Sequence, residues 1–549
     1  MAESEASTSW RRPTQERVAV GLFVVAAVAA VPVILHYGRQ QWFFLDEWDF
    51  LAARDLHSLN DLFRPHNEHW VTIPIVLYRV IWKLNGANAY WLYQLPLIAA
   101  HLATAALVRA LMRRAGADPW TSTLGGVLML FLGSGRENLV WAFQISFVGA
   151  LAFGLAHLVL ADHDGPAGRR DLAGIACGVV GLMFSGVAIC MVFGVGLAVL
   201  MRRGWRLALL HVAPPATVFL VWFAVTGRAG GSDLRSNPAQ ISAYLRGLFA
   251  HSASEVGGGV VLGLVLALLC LVGVGFTIRD RSDAALGGRR AAPVGLACAS
   301  VLFGLMTAYG RALLGTMPAA YSERYVYLLA AMWLPMLGLA SAALTKVWLP
   351  LRAVIMVVLA IAIVGNFRKL PLTPDRRATL GGREGVLDIA YQPRLEDLPA
   401  DFTPFPTSAP EVTVGWLRSA RRAGKLPERA DPSRGPTPGT VLALSILPLD
   451  GRVRACDGPE VNIARPVRGQ EFQVDMGAFA PPVAKGNSET RMPPAYLLKL
   501  GSFEGYTEVA SIMYVQPAKD QGLRFRVLSD GLALRATIDG QVLPFAQCR

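Results

Sequence analysis

The chain has 549 residues, 53% of them hydrophobic and only 17% charged, with a formal net charge of +13 and a mean hydropathy of +0.40. Soluble domains carry about 25% charged residues, so most of this chain belongs in a bilayer. The positive balance does not indicate a nucleic-acid partner, because the arginines fall in short clusters between apolar runs, the pattern by which membrane proteins orient themselves, and the sequence has no P-loop, dinucleotide fingerprint, CxxC or HExxH.

The segment SWRRPTQER leads into a first apolar run, Val18 to His36. Its charge order is that of a signal peptide, but it is longer than a signal h-region and lacks a convincing A-x-A site. It reads as an uncleaved transmembrane helix. Crossing the hydrocarbon takes about 20 apolar residues. On that measure the candidate spans are 18–37, 89–112, 118–133, 145–161, 172–186, 188–201, 207–226, 256–278, 292–313, 325–345 and 347–366, about eleven. The two spans inside 172–201 are short. Residues 70–84, WVTIPIVLYRVIWKL, contain Arg79 and Lys83 and are rich in Trp and Tyr, which predicts a helix lying in the interface.

With 70–84 interfacial, one face collects Arg11, Arg12, Arg17, Arg113, Arg114, Arg169, Arg170, Arg202, Arg203, Arg206, Arg279, Arg281, Arg289, Arg290 and Lys346. The positive-inside rule makes that face cytoplasmic. The N-terminus, residues 1–17, then lies in the cytoplasm. The first loop, 38–88, the loops near 134–144, 227–255 and 314–324, and everything after 366 lie outside it, with one short amphipathic helix expected in 227–255.

Beyond 366 the sequence changes character. Residues 367–439 are a Pro-, Arg- and Gly-rich connecting segment with a predicted helix at EVTVGWLRSARRAGKL. From 440 to 549, short alternating runs bounded by turn residues predict a small β-sandwich. The expected fold class is therefore a polytopic α-helical membrane protein with an extracytoplasmic, mainly β C-terminal domain. Cys177, Cys190, Cys270 and Cys298 lie in apolar runs and read as small buried hydrophobes. Cys456 and Cys548 belong to the outer domain, where a disulfide between them fits an oxidising compartment.

The first outer loop carries the chemistry. FFLDEWDFLAARDLHSLNDLFRPHNEHW holds six acids and three of the nine histidines. Asp46 and Glu47 follow the aromatics Trp42, Phe43 and Phe44, which would hold the backbone at the interface. A carboxylate there sees a lowered dielectric, which raises its pKa toward that of a working general base. LAARDLHSLNDLF reads as a short amphipathic helix. Glu68 and His69 then precede the interfacial helix, and a chain that leaves the membrane and folds back permits Asp46 and Glu68 to meet. His66 and His69 have the spacing to share a metal with Asp46 or Glu68, but hydrogen-bonding or sugar-facing histidines are the preferred reading, and no metal or other cofactor is required. His101, His157 and His211 lie in spans with no charged residue near them in sequence and read as satisfied packing. Trp70, Trp82, Trp91 and Tyr93 read as interfacial belt.

The acidic pair in the first outer loop, the interfacial helix opening on charged residues, the many spans and the outer C-terminal domain resemble the GT-C membrane glycosyltransferases. Relatives there include the protein O-mannosyltransferases, the aminoarabinose transferases and the arabinosyltransferases. The resemblance covers residues 1–366 as an architecture and 43–90 as a motif. Where the family often has Glu-Lys-Pro-Pro, this chain reads NEHWVTIP, with Glu68 matching the acid and His69 replacing the base. The resemblance implies inverting transfer from a polyprenyl-phosphate sugar to an extracytoplasmic glycan, lipid or protein, at the inner or plasma membrane. Asp46, Glu47 and Glu68 would form the catalytic group, with His66, Asn67 and His69 near the sugar. Charge on the leaving phosphate needs a cation at headgroup depth. GSGRENLVWAFQ offers Arg136 and Glu137, and GTMPAAYSERYVY offers Tyr321 and Arg324; Arg324 is favoured because it starts a span. A transporter or flippase of a lipid-linked glycan remains open, as does a non-catalytic scaffold that binds a cell-wall polymer. Transporters, however, carry charge at mid-membrane, and the spans here are nearly uncharged.

Overall fold

The computed structural model describes residues 14–230, 237–279, 284–312, 321–371, 380–405 and 409–428, and beyond them 446–449, 460–461, 467–474, 495–502, 508–515, 523–528, 534–538, 541–543 and 545–548. Two compact units divide the chain. One comprises Met1–Gln40, Leu56–Leu77 and Trp91–Thr373; the other comprises Gln41–Asp55, Tyr78–Tyr90 and Pro374–Arg549.

The helices in chain order are α1 (Gln15–Gly38), α2 (Glu47–Ala52), α3 (Leu59–Phe63), α4 (Thr72–Asn85), α5 (Trp91–Arg114), α6 (Pro119–Leu130), α7 (Glu137–Val140), α8 (Ile145–Ala161) and α9 (Arg169–Leu182). They continue with α10 (Val187–Arg203), α11 (Trp205–Val225), α12 (Pro238–Gly257), α13 (Val260–Arg279), α14 (Ala284–Arg311), α15 (Glu323–Val347), α16 (Leu351–Phe367), α17 (Leu380–Ala390) and α18 (Val414–Arg422). Each of the eleven apolar segments forms a helix. Among the described residues seven helical stretches are long and apolar enough to cross a membrane: α1, α5, Ala142–Ala161, α11, α15, and most of α13 and α14. Those of α6, α9, α10 and α16 are shorter. The chain is thus a multi-pass membrane protein.

Local chemistry sets the helix ends. Asp118 caps α6 through the Trp120 and Thr121 amides, with Pro119 at the first helical position. Asn237 and Gln240 form a reciprocal capping box that starts α12. Gly258, at φ +76°, ends α12 as a left-handed C-terminal residue, which delays the start of α13 to Val260. The sequence expectation of a span from 256 shifts for that reason. The expected single helix through LAARDLHSLNDLF is instead two short ones, because Ser58 accepts the Asp61 amide and opens α3 afresh.

Ion pairs between helix ends show which ends lie together. Arg109 and Arg113 of α5 both reach Glu16 of α1, and Arg352 of α16 reaches Asp118 of α6. Arg202 of α10 bonds Asp162 and Asp164, and Arg203 bonds Asp171 of α9. This basic end contains the arginines that the positive-inside rule gathers on one face; of those, Arg11, Arg12 and Arg281 lie outside the described residues. At the opposite end Ser134 donates to Asn366 of α16 (2.7 Å), Asn366 donates to the Val256 carbonyl of α12 (2.9 Å), and Lys369 meets Glu255 (2.7 Å).

The second unit contains α2, the later part of α4, α17, α18 and two antiparallel sheets. The strands are β1 (Ile446–Leu449), β2 (Glu460–Val461), β3 (Glu471–Val474), β4 (Ala495–Ser502), β5 (Glu508–Val515), β6 (Leu523–Val527), β7 (Leu534–Ile538), β8 (Gln541–Leu543) and β9 (Phe545–Cys548). One sheet has the order β1-β6-β3-β9-β2 and the other β5-β4-β7-β8. The alternating runs of the sequence fall on these strands. Cys548 is disulfide-bonded; Cys456, its expected partner, lies outside the described residues.

Candidate functional site

In the second unit the first loop folds around a buried carboxylate. Glu47 has no exposed surface. It accepts hydrogen bonds from the Tyr78 hydroxyl (2.6 Å), the Tyr90 hydroxyl (2.9 Å) and the Phe44 amide (2.9 Å). Three donors on one buried acid offset the cost of removing it from water. Two residues on, Asp49 is held by a two-pronged bond from Arg54, at 2.7 Å from Nη2 and 3.1 Å from Nε. Phe43 packs on Trp42, Trp48 and Tyr90. Trp48 and Trp82 both lie against Trp416 of α18, and the Ala87 amide donates to the Lys425 carbonyl (2.6 Å). Segment 414–425 therefore braces the first loop and the later part of α4.

Asp46 is the least buried of the three acids. It is half-buried at the start of α2 and does not cap the helix with its side chain. The residue before it, Leu45, has φ +45°, a conformation that costs a non-glycine residue about 1–2 kcal/mol.

Glu68 lies in the first unit, at the tip of a tight turn. His66 and His69 exchange both backbone hydrogen bonds at 3.1 Å. Asn67 takes the left-handed position at φ +51°, which asparagine tolerates. Glu68 is exposed, and no hydrogen bond or ion pair reaches its carboxylate among the described residues. The His66 ring lies edge-on to Phe143, and His69 lies edge-on to Phe147 and beside Gly186. Trp70 stacks on Trp222 at 5.2 Å and donates to Thr72 Oγ1, while Trp222 donates to the Phe63 carbonyl. Trp70, Trp82 and Tyr93 are buried rather than belt residues; Trp91, half exposed, keeps that description.

Loops 133–144 and 321–324 meet through two carboxylates. Arg136 grips Glu323 at 2.7 and 3.2 Å and also donates to the Pro371 carbonyl. Its guanidinium is a clamp between three chain segments. Arg324 donates only through Nε, to Ser322 Oγ (3.0 Å), and Ser322 donates to Glu137 (2.8 Å). Among the described residues the two terminal nitrogens of Arg324 have no hydrogen bond, and its side chain is 23% exposed. Tyr321 packs on Tyr244 and His251 of α12.

No local signal marks Tyr78 and Tyr90 as partners of Glu47, or Ser322 as the link between Arg324 and Glu137. The intramembrane histidines behave in two ways. His101 is satisfied by the Tyr327 hydroxyl and the Leu130 carbonyl. His157 bonds His211, and His211 meets Asp171, so a charge is present that sequence proximity did not reveal. Among the described residues no three His, Cys, Asp or Glu side chains are grouped to hold a metal.

No family model matches the sequence, and no curated protein matches it. The chain is similar to the crystal structure of ArnT from Cupriavidus metallidurans in the apo state, with a TM-score of 0.46 and 14% identity over 73% of this chain and 84% of that one. It is likewise similar to the same protein bound to undecaprenyl phosphate, with a TM-score of 0.42 and 14% identity over 70% and 81% of the two chains.

Proposed function

We propose that the protein is a membrane glycosyltransferase that moves a sugar from a polyprenyl-phosphate donor to an acceptor outside the cytoplasm, with inversion. One observation carries the reading. Each of the two candidate acids that retain access to solvent, Asp46 and Glu68, directly follows a non-glycine residue held in the left-handed region. Strain of this kind collects at functional sites.

In this reading Asp46 takes the proton of the acceptor hydroxyl as its oxygen attacks the anomeric carbon. The bond from that carbon to the phosphate oxygen breaks, and polyprenyl phosphate leaves with the electron pair. The terminal nitrogens of Arg324 stabilise the phosphate charge. Glu47 does not exchange protons; it positions α2, and with it Asp46, through its three donors. Glu68, Asn67, His66 and His69 orient sugar hydroxyls. Glu137 and Ser322 hold Arg324, Tyr321 holds the same loop, and Arg136 serves as the clamp.

The test is transfer of radiolabelled sugar from a panel of polyprenyl-phosphate sugars by the full chain in nanodiscs, with the anomeric configuration of the product determined. Label moved with inversion from one of the carriers is the expected result. Donor binding without transfer from any carrier, across glycan, lipid and peptide acceptors, would replace this reading with transport or scaffolding.

A further inference from the structure

At the basic end, a cavity of about 280 Å³ is lined by Arg279, Arg289, Arg290 and Lys346 together with Phe276 and Leu339. Its described lining contains no acid. That sets it apart from its surroundings, where Arg109 and Arg113 share Glu16, Arg202 has Asp162, Arg203 has Asp171 and Arg352 has Asp118. Asp280 and Asp283, next along the chain, lie outside the described residues. Helix dipoles account for part of the cation cluster only. Arg279 and Lys346 end α13 and α15, where a dipole attracts cations. Arg289 lies near the start of α14, where no dipole calls for one.

A second feature adjoins it. Helices α13 and α14 each pack along α15 but touch one another little. An apolar groove of about 640 Å³ runs over α15 between them, lined by Leu264, Leu271, Val274, Val301, Trp333 and Met336 among others. Val274 and Met336 are within one helical turn of Phe276 and Leu339 in the cavity wall. Cations at one end of an apolar groove are the complement of a phosphate on acyl chains, and basic pockets between transmembrane helices on the cytoplasmic side bind such headgroups.

We propose that this is a binding site for an anionic glycerophospholipid of the cytoplasmic leaflet. Its phosphodiester lies among Arg279, Arg289 and Lys346, and an acyl chain follows the α13–α14 groove. The site does not depend on the transferase reading.

Native mass spectrometry of the full chain in detergent tests it. Phosphatidylglycerol, phosphatidylcholine, a polyprenyl phosphate and inorganic phosphate are titrated separately and in competition. Phosphatidylglycerol should bind at least about tenfold more tightly than phosphatidylcholine. Arg279→Gln/Arg289→Gln/Lys346→Gln should remove that preference, and Arg279→Lys/Arg289→Lys should keep it, which separates charge from folding. Val301→Trp, which fills the groove, should weaken phosphatidylglycerol. The control Arg169→Gln/Arg170→Gln/Arg206→Gln, at the same end, should leave binding unchanged. An equal loss in that control would reduce the site to diffuse surface charge and overturn the proposal. So would displacement by inorganic phosphate, which would make it a free-anion site, or tighter binding of the polyprenyl phosphate, which would assign it to a different lipid. Indifference to Val301→Trp would refute the acyl-chain half.

Discussion

The two ends of the helical bundle treat their acids differently. At the basic end Glu16, Asp118, Asp162, Asp164 and Asp171 each meet an arginine, so charge there fastens one helix terminus to the next. At the opposite end Glu323, Glu137 and Glu255 are fastened in the same way, yet Glu68 stays exposed on its turn. An acid that is fully engaged stabilises the fold. An exposed acid presented on a tight turn adds nothing visible to the fold and remains available for chemistry. In the first loop Glu47 is fully buried under three donors, and its neighbour Asp46 is half-buried.

Substitutions sharpen this contrast, and the largest effect on stability belongs to the basic end. Arg203→Ala leaves Asp171 buried with its charge uncompensated, and breaking a buried pair in this way costs about 3–5 kcal/mol; thermal unfolding in detergent should register it as the greatest loss of the series. Arg136→Ala opens the clamp on Glu323 and is expected to cost about 1–3 kcal/mol, read by the same assay. Glu47→Gln presents an amide to two hydroxyl donors and should cost a comparable amount, about 1–3 kcal/mol, with transfer falling only as far as α2 is displaced. Stability unchanged by Glu47→Gln would break the distinction between the two neighbouring acids. Glu68→Gln should leave stability within about 0.5 kcal/mol while lowering transfer, a split that a merely structural residue would not produce.

The smallest effect is a pH dependence. Hydrogen bonds from Arg202, together with its charge, hold the Asp164 carboxyl below its usual range. The stability it contributes is present above the ordinary carboxylate pKa and is lost as pH falls through the depressed one. Because Asp164 is exposed, solvent screening keeps that contribution slight. Unfolding of Asp164→Asn, followed across acidic pH, should differ from wild type above that range and converge with it below.

Much of this architecture is legible in the sequence for a simple reason: apolar runs and arginine clusters are local signals. All eleven apolar segments form helices, WVTIPIVLYRVIWKL gives α4 and EVTVGWLRSARRAGKL gives α18, whereas the short helix expected in 227–255 is the 20-residue α12, which runs on to Gly257. What escaped depends on partners far along the chain. Glu47 finds Tyr78 and Tyr90 at separations of 31 and 43 residues. His211 finds Asp171 at 40, and Trp70 finds Trp222 farther still. Composition marks Asp46 and Glu47 as one acidic pair. Only tertiary structure separates the fully buried Glu47 from the half-buried Asp46.

The most direct test of that separation is the transfer rate of Asp46→Asn in nanodiscs, measured beside its affinity for the polyprenyl-phosphate sugar. With Asp46 as the base, we expect transfer to fall at least about 100-fold, with donor affinity and unfolding temperature close to wild type. Transfer at the wild-type rate by Asp46→Asn would contradict the assignment and remove Asp46 from the chemistry.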